Sequence, residues 1–454
     1  MSDAAEAALP VAAAADTGLW KRSLLWLLFL GPFFFLSYGY ANSRAALSGV
    51  ATSVVFAWET AIPLLPWTIV PYWSIDLLYG LAFLLCASAR QVDRLALRLL
   101  TAQLVSVACF LLFPLRFAFE RPPIDGPFGG LFDLLAGFDK PYNQAPSLHI
   151  GLLVILWARF AAGRRGPALL CVHAWALLIG VSVLTTYQHH FIDVPTGALV
   201  GALCLWLWPD EETPPLAAWR LTRDPRRRQL AARYLAAAAA LGAVAFGCGG
   251  GGGALWLLWG SVALSLTGLC YLGFGTAGLQ KTRGRPSVGA ALLLAPYIAG
   301  AWLNARLWTR RHPTPDHIAD GVHAGRLPDA GSMRAGGFTG LVDLSAELPA
   351  PRGPWQYTGL PMLDLVAPTP RQLQDAAHRI EQARRHGPLL VCCALGYSRS
   401  ACAVAAWLVL TGRSPDVDHA IATLRRQRPQ VVLGPAHRAA LQACADAHQD
   451  VHAA

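Results

Sequence analysis

"LLVCCALGYSRSACAVAAWLVLTG", Leu389 to Gly412, decides how the C-terminal part of the chain is read. Leu389 to Cys393 is a short apolar run, fit for a buried strand. Five residues separate Cys393 from Arg399, and Gly396 stands mid-loop, where the backbone often needs torsions that a side chain resists. The stretch from Arg399 reads as a helix closed by Gly412. A strand turning tightly into a helix N-terminus aims backbone N–H groups and the positive helix end at one spot. An oxyanion held there by Ala394, Leu395, Gly396, Tyr397 and Ser398 gains several charge-assisted hydrogen bonds. A thiol there is expected to ionise readily, its pKa lowered from about 8.5 to roughly 3.5–7.5.

Roles follow from those residue types. Cys393 would attack phosphorus. Arg399 would bind two phosphoryl oxygens in a fork that lysine lacks. Ser400 would hydrogen-bond the sulfur and ease its departure. A general acid must protonate the leaving oxygen. Asp364, in "GLPMLDLVAPTP", precedes a proline-rich loop that could close over the pocket. Taken alone, Asp364 reads equally well as a loop-capping aspartate.

Most of the chain before this point has a different character. Of 454 residues, 54% are hydrophobic and only 14% are charged, and 16 are Trp. Soluble domains carry about 25% charged residues, so much of the chain is expected to be integral to a membrane, that of a bacterial cell. The net charge of +10 comes almost wholly from arginine, and no clustered basic face suggests nucleic acid as a partner. The ten cysteines are scattered without metal-ligand spacing, so neither metal nor cofactor is expected. Residues 1–19 read as a disordered tail. Apolar spans fall near 23–40, 68–88, 95–114, 148–163, 167–186, 194–208, 231–247, 254–274 and 287–305. The amphipathic stretch 46–62 reads as interfacial or re-entrant. A polar, arginine-rich block at 209–229 divides six spans from three. After Trp308 the mixture of charge, proline and short apolar runs is that of a soluble α/β domain. The domains expected are therefore 20–210 in the membrane, 211–311 as a basic loop with additional membrane helices, and 312–454.

Lys and Arg placement puts the N-terminus and the loop Arg226–Arg228 on the cytoplasmic side. Arginines flank 287–305 on both sides, with Pro296 inside it. Either that segment dips in and returns, or the last domain is outside; a cytoplasmic C-terminal domain is the expectation taken forward.

Three further pieces abut apolar spans: "RFAFERPP" (116–123), "APSLHIG" (145–151) and "TTYQHHFIDVPTG" (185–197). His189 and Asp193 are one helical turn apart, so the carboxylate can hold one ring nitrogen and leave the other as a nucleophile. His149 could serve as acid for the leaving group, and Arg116 and Arg121 could bind phosphate. Singly, each histidine is more often a satisfied interface residue.

Two resemblances attach to these motifs. Residues 316–447, through "HIADGVHAGRLPD", "GFTGLVDLSAELP", the Asp364 loop, "VCCALGYSRSA" and "AIATLRRQRPQVVL", resemble the dual-specificity phosphatases of the cysteine-dependent superfamily. That resemblance implies a phosphocysteine intermediate. The family usually has His before the nucleophile, where this chain has Cys392. Residues 20–210 resemble the type 2 phosphatidic acid phosphatase superfamily, with "PSLH" and "HHFID" in the places of its motifs. That implies a six-helix core and phosphohistidine catalysis at His189, with His149 as acid and Asp193 as orienter. Pro114 and Val183 stand where that family has basic residues, and the pattern is closer to its inositol phosphorylceramide synthase-like branch, so hydrolysis and transfer both stay open. The expectation is a bifunctional membrane phosphatase, with a histidine site acting on a lipid phosphate or phosphodiester at the outer face and a cysteine site hydrolysing phosphate monoesters of a phosphorylated lipid or phosphoprotein. The alternative is that only the cysteine domain is catalytic and the membrane domain binds lipid.

Overall fold

The structure, a computed structural model, describes residues 18–247 and 252–453. The expected tail up to residue 17 and the glycine-rich residues 248–251 lie outside the described residues. The chain divides into two compact units, Met1–Asp210 and Glu211–Ala454.

The first unit is helical: α1 (Leu19–Leu47), α2 (Ile69–Leu84), α3 (Ala89–Leu112), α4 (Pro127–Phe138), α5 (Leu148–Ala161), α6 (Gly166–Thr185) and α7 (Asp193–Leu207). Ser88 and Ser147 cap α3 and α5, each hydroxyl accepting from the N–H three residues on. The core joins Leu95 and Leu99 of α3 to Ile155 and Leu156 of α5 and to Ile179 and Val183 of α6. Helices α5 and α7 approach at backbone distance: a Cβ on Gly201 would lie 2.6 Å from the Gly151 carbonyl oxygen. Leu24, Leu25, Leu28, Phe35 and Leu36 of α1 stay exposed, an apolar face that water does not favour. The stretch 46–62 holds only the end of α1 and a short 3₁₀ turn, Ala57–Ala61.

The second unit begins with α8 (Pro215–Ala218), α9 (Pro225–Gly247), α10 (Gly252–Leu255) and α11 (Leu257–Leu269). Helix α11 ends in a π turn, Cys270–Phe274. The hairpin β1 (Lys281–Thr282) and β2 (Arg285–Pro286) follows, then α12 (Val288–Leu293) and α13 (Ala295–Trp308). The expected span 287–305 is thus corrected to two helices of 6 and 14 residues. Pro296 is the reason: it lacks a backbone N–H and suits only the first turn of a new helix, so the segment restarts at Ala295. At about 1.5 Å per residue each piece alone is shorter than the roughly 20 residues that a crossing takes.

Six helical stretches among the described residues are long and apolar enough to cross a membrane: Leu19–Leu47, Pro66–Leu84, Ala89–Leu112, Gly166–Thr185, Pro225–Gly247 and Gly253–Gly278. Helices α5 and α7, with 14 and 15 residues, fall short of that length.

The rest is α/β: β3 (Asp316–Ala319), β4 (Val322–Arg326), α14 (Ala330–Ala335), β5 (Gly340–Ser345), β6 (Gln356–Met362), α15 (Pro370–Ala383), β7 (Leu389–Cys393), α16 (Arg399–Leu410), α17 (Val417–Gln427) and α18 (Pro435–Ala453). The sheet order is β3-β4-β7-β5-β6, parallel except for the β3–β4 hairpin. β7 is central and fully buried, which explains its unbroken apolar run. Helix α16 is buried along nearly its whole length, and Trp407 is among the largest fully buried side chains.

Candidate functional site

Cys393 sits at the C-terminal end of the central strand, paired in register with Arg326 of β4. The loop from Ala394 to Ser398 then turns into α16. Gly396 adopts φ +76°, and a Cβ there would lie 2.3 Å from the Gly325 carbonyl oxygen, so this position requires glycine twice over. The loop carbonyls are engaged from outside it. Ala394 O accepts from Leu327 N–H at 3.4 Å and Tyr397 O from Val432 N–H at 2.8 Å. Leu395 O and Gly396 O accept from the Arg428 guanidinium at 3.4 and 2.9 Å. In a planar trans peptide the N–H points opposite its carbonyl. Turning these carbonyls outward therefore turns the amides of Leu395, Gly396, Tyr397 and Ser398 inward. Gly396 N–H donates to Cys393 Sγ at 3.2 Å, and Ser400 Oγ lies 3.5 Å from the same sulfur.

Arg399 is 1% exposed. One terminal nitrogen donates to Glu347 Oε2 at 2.8 Å and Met362 O at 2.9 Å. The other reaches Glu347 Oε1 at 2.6 Å and Asp364 Oδ1 at 2.9 Å. Its Nε is buried without a partner among the described residues. That is the donor left over for an anion at the loop. Burial opposes the Arg399 charge, but Glu347 and Asp364 more than offset it and hold the guanidinium well above its ordinary pKa. Burial pushes the Glu347 carboxyl up, yet the charge and hydrogen bonds of Arg399 together outweigh it and keep it below its usual range. Burial raises the Asp364 carboxyl; Arg399 opposes the shift and Glu347 reinforces it. A carboxyl that holds its proton more tightly than usual is suited to carry one to a leaving oxygen.

Behind the sulfur lies Cys392, whose thiol is pushed well up by burial first and then by Asp343. Lys281 of the β1–β2 hairpin donates to Asp343 Oδ2 and to Ser345 O, both at 2.6 Å, and Tyr357 Oη donates to the same Asp343 oxygen at 3.1 Å. Sequence reasoning assigned no role to Glu347, Lys281 or Arg428; each acts on a partner at least 32 residues away.

In the first unit, the three motif pieces come together. His189 Nδ1 is 3.1 Å from Asp193 Oδ2, an oxygen that also accepts from His190 N–H at 3.0 Å. Ser147 N–H donates to Asp193 O at 3.1 Å, tying the "PSLH" turn to the start of α7. The neighbouring His190 is a second histidine–carboxylate pair. Its Nδ1 is 2.9 Å from Glu59 Oε2, while its Nε2 accepts from Ala118 N–H at 2.9 Å. Glu59 thereby anchors the 116–121 loop, a function its sequence neighbourhood did not disclose. His149 stacks on Tyr72 with ring centroids 4.2 Å apart and lies within electrostatic reach of His189. Its Nε2 is buried without a partner among the described residues, as are Arg121 Nε and Asp193 Oδ1. Arg116, Arg121 and Lys140 line a cavity of about 720 Å³, with Asp139, Tyr187 and Gln188 on its walls. His149, His189 and Asp193 do not line that cavity.

Residues 329–446 match the profile of the dual specificity phosphatase catalytic domain. Solved structures similar to this chain include PTPMT1, with 18% identity over 31% of this chain and 98% of that one, at a TM-score of 0.28. Tk-PTP in its active form is 27% identical over 30% of this chain and 98% of that one, at 0.27. Human DUSP28 is 24% identical over 30% and 99%, at 0.28. No curated protein matches the chain.

Proposed function

From a dual specificity phosphatase catalytic domain at residues 329–446, we propose a membrane-integral, cysteine-dependent hydrolase of phosphate monoesters. The observation that carries this reading is the buried Nε of Arg399, without a partner among the described residues, beside a loop whose Gly396 amide donates to Cys393 Sγ. The thiolate attacks phosphorus and the bond to the leaving oxygen breaks. Asp364 donates its proton to that oxygen. Water then attacks the phosphocysteine and gives a proton back to Asp364, while Ser400 Oγ–H stabilises the departing sulfur. The phosphoryl group must displace Asp364 from the second Arg399 nitrogen, since both want the same donor.

The cytoplasmic face is favoured for this domain. Arg226, in the Arg226–Arg228 run, donates to Leu365 O at 3.4 Å, so a positively charged helix end lies beside the acid loop. A pocket held near a bilayer meets head groups at high effective concentration, which favours a phosphorylated lipid over a phosphoprotein as substrate. The test is a rapid-quench experiment on the full chain in detergent. A phosphoenzyme labelled at Cys393 and lost in Cys393→Ser supports the proposal; turnover without such a species refutes it.

A second, histidine-dependent site in the first unit is favoured by the His189–Asp193 pair and by the unpartnered His149 Nε2. Asp193 holds Nδ1 and leaves Nε2 to attack a lipid phosphate or phosphodiester, with His149 as acid and Arg116 and Arg121 as phosphate ligands. Lipid phosphate turnover that survives Cys393→Ser but is lost in His189→Ala supports two activities, and the released or transferred product tells hydrolysis from transfer. If His189→Ala leaves lipid turnover unchanged, this unit binds lipid without acting on it.

A further inference from the structure

The acid loop is held by helices that lie outside the phosphatase domain. Tyr271 Oη donates to the Asp364 backbone carbonyl at 3.1 Å. Tyr271 is itself buried and stacks on Tyr234 of α9, ring centroids 5.4 Å apart and 16° from parallel. It belongs to the π turn Cys270–Phe274, a departure from helical geometry of the kind that re-aims a side chain at a functional position. Arg227 donates to Tyr271 O at 3.1 Å and to Cys270 O at 3.4 Å, taking up carbonyls at that turn. Leu363 and Val366, on either side of Asp364, rest on an apolar patch of Leu230, Ala231, Tyr271 and Leu272.

The loop needs this support. Leu365 has φ +57°, a left-handed conformation that a bulky side chain disfavours. Such a residue persists only where surrounding contacts over-determine it. Here the carbonyls on both sides of its N–Cα–C unit are engaged from outside the domain: Asp364 O by Tyr271 and Leu365 O by Arg226. The Asp364 side chain, 32% exposed, is thereby left against Arg399.

We propose that Tyr271 is a positioning residue for the general acid, fixing the Asp364 loop from the apolar helical segment that precedes the phosphatase domain. This rests on the reading of Asp364 as that acid. The reaction then depends on two parts of the chain. The cysteine, the arginine and the loop amides come from the domain, and the placement of the proton donor comes from α9 and the π turn.

The test compares full-length Tyr271→Phe with Asp364→Asn and the unaltered chain, all in the same detergent. Two substrates are used: p-nitrophenyl phosphate, whose leaving group needs little protonation, and phenyl phosphate, whose leaving group is more basic. A phenylalanine keeps the stack on Tyr234 and removes only the hydroxyl. Asp364→Asn is expected to lower kcat on phenyl phosphate about 10²-fold and to affect p-nitrophenyl phosphate much less. Tyr271→Phe is expected to show the same bias at about 10-fold, with KM unchanged, and to add nothing on the Asp364→Asn background. If Asp364→Asn shows the bias and Tyr271→Phe does not, the inference is overturned and the acid assignment stands. Equal losses on both substrates in Tyr271→Phe also overturn it, since they mark general damage. If Asp364→Asn itself shows no bias, the acid assignment falls and the inference falls with it.

Discussion

Arg428 is the side chain whose removal should speak most directly to how the loop Ala394–Ser398 is built. It is fully buried and takes two of the four loop carbonyls that are engaged from outside the loop. It also donates to Thr314 O at 3.3 Å and Asp316 Oδ2 at 2.7 Å. In Arg428→Met the volume is largely kept and the donors vanish. Gly396 O and Leu395 O become buried acceptors without partners, each costing about 1–3 kcal/mol. The second bond is long, so it belongs at the low end. The Asp316 pair is partly solvated and adds at most about 1 kcal/mol. The total is about 2–5 kcal/mol, concentrated in the loop. Relief comes from rotating those peptides, which turns the Gly396 and Tyr397 amides away from the sulfur. A displacement of about 1 Å at a reacting centre costs about 10²-fold in rate. The assay is turnover of an aryl phosphate together with hydrogen exchange of the 394–399 peptide in the full chain. Loss of turnover with faster exchange in that peptide, and unchanged exchange in β5, is the expected result. Full activity with unaltered exchange would refute the claim that outward carbonyls orient the amides.

Other expectations follow from the same geometry. Arg399→Lys should cut kcat by about 10²–10³, since one ammonium cannot hold Glu347, Met362 O and a phosphoryl oxygen at once. With Asp364 as the proposed general acid, substrates with basic leaving groups need it protonated. Because burial raises its carboxyl, their kcat should hold at pH values above the ordinary carboxylate range and fall only as pH rises through the raised pKa, and Asp364→Asn should abolish that limb. Lys281→Met should destabilise the second unit by about 3–5 kcal/mol in a denaturant titration, because Asp343 is left buried without its cation and must either carry an unpaired charge or take up a proton. Gly201→Val should lower the thermal stability of the first unit by about 1–3 kcal/mol, since its side chain would be driven into Gly151 O and Val154 of α5.

What the sequence displayed was local. The spacing from Cys393 to Ser400 spans one turn of loop and one helix start, so its geometry is written in consecutive residues. The His189–Asp193 pair is likewise one helical turn. The groups that hold these pieces are remote: Glu347 lies 52 residues from Arg399, Lys281 lies 62 from Asp343, and Glu59 lies 131 from His190. Nothing in the local pattern around Glu59 or Lys281 marks them as buried partners. The segment 287–305 reads two ways in the sequence for the opposite reason. Its apolar composition suggested one crossing, while Pro296 inside it is a helix-start signal that divides the segment. The π turn that carries Tyr271 has no compositional signature at all.

The salt link between Lys281 and Asp343 also bears on how this protein could have been assembled from parts. The matched domain begins at residue 329, but the ammonium that neutralises its innermost aspartate lies 48 positions earlier, in a two-stranded tab. A gene fusion that copied only the catalytic module into a new host chain would import a carboxylate and leave its counterion behind. The unit that keeps this pair together is therefore longer than residues 329–446 and reaches back at least to Lys281.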